Sequence, residues 1–170
     1  MNAEVVIEFV GPERAAEVRE LMLAAFREYD GVLTVPSSAM SETIDDTAAH
    51  IAAGGAVLAM CGGQIVGSGR FEMRDDHVYI GRLSVLPGFR GRGIGALMMT
   101  ALEQRGASLG APEARIGVRT LLPKNIQLYE RLGYVVTDRY KHPRGEETIV
   151  ALDKMGGAAW QARKARAKAA

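Results

Sequence analysis

Two short stretches combine residue types and spacings that could do chemistry. In Leu83-Ser84-Val85-Leu86-Pro87-Gly88-Phe89-Arg90-Gly91-Arg92-Gly93-Ile94-Gly95-Ala96, a β-prone run, a proline and closely spaced glycines lead straight into a helical segment. Successive glycines let a backbone approach an anion without Cβ clashes, and the first N–H groups of a helix have no internal partners. A diphosphate placed there gains hydrogen bonds and the favourable end of the helix dipole. Arg90 and Arg92 either add charge to such a site or are simply solvated. A G-x-G pattern alone fits a tight strand-to-helix turn equally well. No Gly-Lys-Ser/Thr follows, which excludes a Walker loop, and the spacing does not fit a dinucleotide-binding fingerprint.

The second stretch is Asn125-Ile126-Gln127-Leu128-Tyr129-Glu130-Arg131-Leu132-Gly133-Tyr134. On a helix, Asn125 and Tyr129 share one face while Leu128 and Leu132 share the next, where they read as core. Tyr129 taken alone reads first as an aromatic anchor between helix and sheet.

These stretches must be held by a frame. Val5 to Val10 reads as a strand, Glu13 to Tyr29 as an amphipathic helix through Ala16, Leu21, Leu23, Ala24 and Phe26, and Gly31 to Ser38 as a loop. Ser41 is the expected N-cap of a second helix ending at Ala53. Val57–Cys61, Gln64–Arg74 and His77–Val85 predict an antiparallel meander, with Gly67 and Gly69 weakening or bending its middle strand. Gly93 to Leu109 follows as a helix burying Leu97, Met98, Ala101 and Leu102. Then come a strand at Ala114–Thr120, the short helix at Asn125–Leu132, and strands at Tyr134–Tyr140 and Thr148–Leu152. This order predicts an α/β (α+β) fold, one mixed and mostly antiparallel sheet of about seven strands flanked by four helices.

With 170 residues, 48% hydrophobic and 24% charged, the chain fits one globular domain, expected over residues 1–155. Residues 156–170 form a basic Ala/Lys/Arg tail with Arg163, Lys164, Arg166 and Lys168, read as a solvated extension. Without those four of its 21 basic residues the chain is mildly acidic, against 20 acids. A net charge of +1 argues for neither nucleic acid nor membrane, and only Trp160 accompanies the basic tail as an aromatic. Cys61 has no disulfide partner, the first ten residues lack the pattern of a signal peptide, and no stretch has bilayer-spanning length, so a cytoplasmic location is expected. His50, His77 and His142 are scattered, and no metal site is expected.

Together the two stretches resemble the GNAT acetyltransferase superfamily. Its cofactor motif, Arg/Gln-x-x-Gly-x-Gly/Ala, is matched by Arg90-Gly91-Arg92-Gly93-Ile94-Gly95, and the typical preceding Leu-x-Val-x-Pro by Leu83-Ser84-Val85-Leu86-Pro87. The family's downstream Asn, Tyr-Glu and Gly-Phe/Tyr elements are matched by Asn125, Tyr129-Glu130 and Gly133-Tyr134. The resemblance covers residues 5 to 153 and implies splayed fourth and fifth strands with the pantetheine arm of acetyl-CoA between them as a pseudo-strand. It implies that backbone groups of Leu83, Ser84 and Val85 bind the arm and thioester carbonyl, and N–H groups from Gly91 to Ala96 the pyrophosphate. Asn125 would bond the arm, and Tyr129 would lie near the sulfur and protonate the departing thiolate.

The acceptor implied is a primary amine of a small molecule or peptide, with the acceptor wall expected at Phe26, Tyr29, the Gly31–Ser38 loop, Tyr140 and His142. Many family members carry a Glu on the fourth strand as base, but Tyr79-Ile80-Gly81-Arg82 stands there instead. Glu72 is the leading substitute, with Asp75, Asp76 and His77 behind it; each is otherwise a solvated residue. Two other readings compete: a noncatalytic acyl-CoA-binding or sensing domain, and an acetyltransferase that modifies proteins. Homodimer formation is left open.

Overall fold

The computed structural model describes residues 3–155. The tail expected at 156–170 lies outside the described residues. In chain order the elements are β1 (Val5–Val10), α1 (Ala15–Phe26), α2 (Ile44–Ala53), β2 (Gly55–Cys61), β3 (Gln64–Met73), β4 (Val78–Val85), α3 (Ile94–Ser108), β5 (Glu113–Arg119), α4 (Pro123–Arg131), β6 (Val135–Lys141) and β7 (Thr148–Met155). One seven-stranded sheet runs β1-β2-β3-β4-β5-β7-β6. Every pairing is antiparallel except β4 with β5, so the mixed, mostly antiparallel sheet and its four helices are as the sequence predicts.

Period-two alternation along β2 shows how the sheet is covered. Val57 and Ala59 join the core against Ile94, Met98, Met99 and Leu102 of α3, while Ala56 and Leu58 join Ala15, Val18 and Ile51 of α1 and α2. The buried stripe of α1 is Ala15, Val18, Leu21, Met22 and Ala25; of the expected residues Leu21 lies on it, Leu23, Ala24 and Phe26 are half-buried beside it, and Ala16 is exposed. Single 3₁₀ turns, Pro12–Arg14 and Arg27–Tyr29, flank it. On α3, Leu97 is 47% exposed, contrary to expectation, and Ile94 and Met99 take the inward positions beside Met98 and Leu102.

The N-cap of α2 is Thr43 rather than Ser41. Thr43 Oγ1 accepts from the Asp46 N–H at 3.1 Å while the Asp46 carboxylate accepts from the Thr43 N–H at 2.9 Å. That reciprocal bonding satisfies two groups at once, which Ser41 could not do. Ser41 instead closes a 3₁₀ turn, its hydroxyl donating to Ser38 O.

The sheet departs from regular pairing at two places beside the glycine loop. β4 and β5 pair only at Val78↔Ala114 and Tyr79↔Arg115, and beyond them the strands diverge. The β3–β4 register runs Ser68↔Ser84 then Arg70↔Gly81, so Arg82 and Leu83 together stand opposite Gly69 in a β-bulge. Arg82 takes up the bend with φ of 54°, the one non-glycine residue with positive φ among the described residues.

Candidate active site

The glycine loop joins β4 to α3. Gly91 (φ 74°) and Gly93 (φ 77°) adopt left-handed conformations that side chains disfavour. Gly93 is the N-cap of α3 and has no side chain with which to cap it. The first helical bond runs from Leu97 N to Gly93 O at 3.0 Å, which leaves the N–H groups of Ile94, Gly95 and Ala96 without helical partners. A Cβ built on Gly91, Gly93 or Gly95 would meet no atom within 4 Å, so the space in front of these amides is open. Arg90 does not point into that space alone. Its guanidinium clamps β4 to the 3₁₀ turn after α1 through Val85 O (3.0 Å) and the Glu28 carboxylate (2.6 Å). Arg92 bonds Gly88 O at 3.2 Å and lies 5.0 Å from the Phe89 ring centroid. The anion-binding capacity therefore lies mainly in the backbone.

From this loop a cleft of about 660 Å³ runs along the free edge of β4 past Leu83, Ser84 and Val85 to Asn125, Leu128 and Tyr129 on α4. Leu128 thus lines a groove instead of filling the core, and Ile126 packs inward together with Leu132. A second cavity of about 330 Å³ continues between the diverging strands. The two share Phe26, Tyr29, Leu83, Leu122, Asn125 and Tyr129 as walls. Both volumes fall in the range of small-molecule sites.

Where the cavities meet, Asn125 Nδ2 donates to the Tyr29 hydroxyl at 3.1 Å, and the Phe26 and Tyr29 rings pack with centroids 5.4 Å apart. Tyr129 packs edge-on against Tyr134, with centroids 6.0 Å apart. No group among the described residues hydrogen-bonds the Tyr129 hydroxyl. Burial pushes its pKa above the ordinary phenol value, with Tyr29 and Tyr79 adding to the effect, so it is a neutral hydroxyl with a proton to donate.

The second cavity is lined by Arg70, Arg74, Arg82, Arg119 and His50, with Glu72 as the acid facing it. Glu72 is half-exposed and pairs with Arg74 at 3.1 Å. Behind the wall lie two buried carboxylates. Glu147 accepts from Val35 N (3.2 Å), the Thr34 hydroxyl (3.3 Å) and Arg119 (2.9 Å). Glu42 accepts from Arg70 and from the Thr47 hydroxyl (2.7 Å), and lies 3.5 Å from Arg82. Together they rivet the loop between α1 and α2 to the sheet.

The structure gathers most of the anticipated residues into this double cleft but not all of them. Tyr140 lines neither of its two cavities but a neighbouring one of about 390 Å³ with His77 and Arg115, which shares Arg74, Tyr79 and Ile116 with the second. His142 sits in the β6–β7 hairpin, where its Nδ1 accepts from the Arg144 N–H. Asp76 bonds His77 Nδ1 at 2.6 Å away from Tyr129's cavity, leaving Glu72 as the sole member of the carboxylate group that lines it. No cluster of His, Cys, Asp or Glu able to hold a metal occurs among the described residues. The arginines went unmarked in the sequence because each, read alone, is an ordinary solvated charge. A charged residue immediately before the Leu83-Ser84-Val85 run was the available signal.

Known proteins share this fold. A model of the Acetyltransferase (GNAT) family matches residues 15–134. The uncharacterised N-acetyltransferase YjcF of Bacillus subtilis is 28% identical over 102 residues, which are 60% of this chain and 66% of that protein. The match therefore spans slightly less than two thirds of that relative. The structure is similar to the PaiA N-acetyltransferase of Thermoplasma acidophilum in complex with coenzyme A, with a TM-score of 0.73 and 15% identity over 90% of this chain and 99% of that one. It is also similar to YncA of Salmonella typhimurium with its cofactor acetyl-CoA, with a TM-score of 0.69 and 16% identity over 89% and 93%.

Proposed function

The chain belongs to the GNAT acetyltransferase family, and from that membership we propose that it moves an acetyl group from acetyl-CoA directly to a primary amine of a small molecule or peptide. The observation that carries this reading is one continuous cleft joining the uncapped N-terminus of α3, the unpaired edge of β4 and the Tyr129 hydroxyl. The site fits the donor. The open space before Gly91, Gly93 and Gly95 would take a pyrophosphate onto the amides from Gly91 to Ala96. Backbone groups of Leu83, Ser84 and Val85 would pair with the extended pantetheine arm, and the Asn125 amide would bond it beside Tyr29.

The chemistry then follows from the walls. The amine lone pair attacks the thioester carbonyl and forms the C–N bond, and a backbone N–H near Val85 donates to the oxyanion. As the C–S bond breaks, Tyr129 gives its proton to the sulfur. Full transfer from a phenol above its usual pKa of about 10 to a thiolate near 8.5 is uphill, so donation accompanies bond cleavage rather than preceding it. The amine's surplus proton leaves through water, with Glu72 the carboxylate on that wall. Phe26 and Tyr29 form the acceptor wall, while Tyr140 would act only on a long acceptor reaching the neighbouring cavity.

Release of free CoA thiol on mixing the chain with acetyl-CoA and an amine panel, corrected for hydrolysis without amine, tests the transfer. No amine-dependent release would favour the noncatalytic acyl-CoA-binding reading, which draws its support from the absence of a carboxylate in Tyr79-Ile80-Gly81-Arg82. Glu72→Gln tests the base: the acidic limb of the pH–rate profile should move, and an unchanged profile removes Glu72 from the role.

A further inference from the structure

The charges around the second cavity do not cancel. Arg74 is matched by Glu72 and Arg119 by Glu147. Arg70 and Arg82 share a single carboxylate, Glu42. Arg70 bonds both oxygens of Glu42, and the Thr47 hydroxyl takes a further lone pair. Arg82 stands 3.5 Å off, beyond a good hydrogen bond, and its short bond at 2.8 Å goes to the neutral Ser38 hydroxyl. One positive charge is left over, and it belongs to Arg82. Burial lowers the pKa of this guanidinium, Glu42 opposes that and Arg70 adds to it, as expected of a cation short of a counter-ion.

The backbone singles out the same residue. At φ of 54° glycine would be the unstrained choice, yet an arginine occupies the bulge. The bulge sets Arg82 next to Leu83, which lines both cavities. A guanidinium has five donors in a planar fork that suits a carboxylate, and one surplus charge matches a monoanion. A polycationic acceptor would meet like charge instead.

We propose that the acceptor carries a carboxylate as well as its amine, and that Arg82 receives the carboxylate while the amine faces the cleft at Tyr129. The inference rests on the transferase reading of this cleft and names its substrate class: amino acids and related carboxylate-bearing amines, not polyamines or aminoglycosides.

The test uses the whole chain with acetyl-CoA and matched acceptors, α-amino acids and short ω-amino acids each beside its carboxamide, together with a polyamine and an aminoglycoside. Thiol release and thermal shift are read for the wild type, Arg82→Gly and Arg82→Lys. Arg82→Gly relieves the backbone, so its melting temperature should hold. In the wild type, kcat/KM should favour the carboxylate of each matched pair by about 10- to 100-fold, the usual weight of a charge-assisted hydrogen bond. The preference should vanish in Arg82→Gly and return in part in Arg82→Lys. Equal or better turnover of carboxamides or polyamines overturns the proposal and leaves acetyl transfer standing. A preference that survives in Arg82→Gly overturns it too. If no amine is turned over but amino acids raise the melting temperature of the wild type and not of Arg82→Gly, the carboxylate site stands and the transferase reading falls. If neither turnover nor binding occurs, both fall.

Discussion

Replacing Tyr129 by Phe separates its hydroxyl from its ring. The ring packs edge-on to Tyr134, a contact that Phe keeps, and no protein group among the described residues bonds the hydroxyl. Removal therefore orphans no partner, and the melting temperature should move by no more than about 2 °C, in line with less than about 1 kcal/mol. The cost should fall on turnover. Positioned acids contribute about 10²- to 10⁴-fold. A thiolate with a parent pKa of about 8.5 is a fair leaving group, which places the expected loss near the lower end, about 10²-fold or 2.7 kcal/mol. The assay is kcat at saturating acetyl-CoA and acceptor across pH 6 to about 10.5. Burial raises the folded phenol above its ordinary value, so the proton stays on throughout the neutral range. Any alkaline fall caused by its loss should begin only above about pH 10, and should be absent in the Phe variant. A drop in kcat of less than about threefold at unchanged melting temperature would refute Tyr129 as proton donor. A fall of about 10 °C would mean that the hydroxyl's role is structural.

Gly93→Ala puts a side chain at a φ of 77° and aims its Cβ into the open space before α3. The left-handed conformation should cost about 1–2 kcal/mol in denaturant unfolding, and the KM for acetyl-CoA should rise about tenfold with little change in acceptor KM. Glu42→Gln removes the charge that Arg70 and Arg82 share and should destabilise the fold by about 3–5 kcal/mol at pH 7. Burial raises the Glu42 carboxyl, but the Arg70 and Thr47 hydrogen bonds and the two arginine charges outweigh it and hold the pKa below the usual 4.5. The stabilisation is therefore present above about pH 4.5 and is lost as the pH falls through the folded value, so wild-type and Gln variant stabilities should converge on acidification; a gap that persists there counts against the charge as its source.

The local rules carried far in this sequence. A β-prone run placed β1 at its observed bounds, Gly54-Gly55 and Gly62-Gly63 marked the ends of α2 and β2, and Pro87-Gly88 the end of β4. The Gly91–Gly95 loop was legible because an anion site on a helix N-terminus is built from consecutive residues. What escaped depends on neighbours distant in sequence. Leu97 and Leu128 look like core by spacing, yet α3 turns Leu97 outward and α4 presents Leu128 to a groove. Arg70 and Arg82 meet over Glu42 only because a bulge and a riveted loop bring three segments together. Pairing of that kind has no periodicity to read.

The divergence of β4 from β5 also bears on how the sheet holds together. Two residue pairs are the only ladder between the β1–β4 half and the β5-β7-β6 half among the described residues. Past Tyr79 and Arg115 the sheet has a seam, and α3, which touches both β4 and β5, bridges it. A donor lying in the gap as an extra strand would close this seam with its own amides. Mechanical continuity across the sheet would then belong to the complex rather than to the polypeptide, and amide exchange along Ile80–Val85 and Ile116–Arg119 would slow when the donor binds.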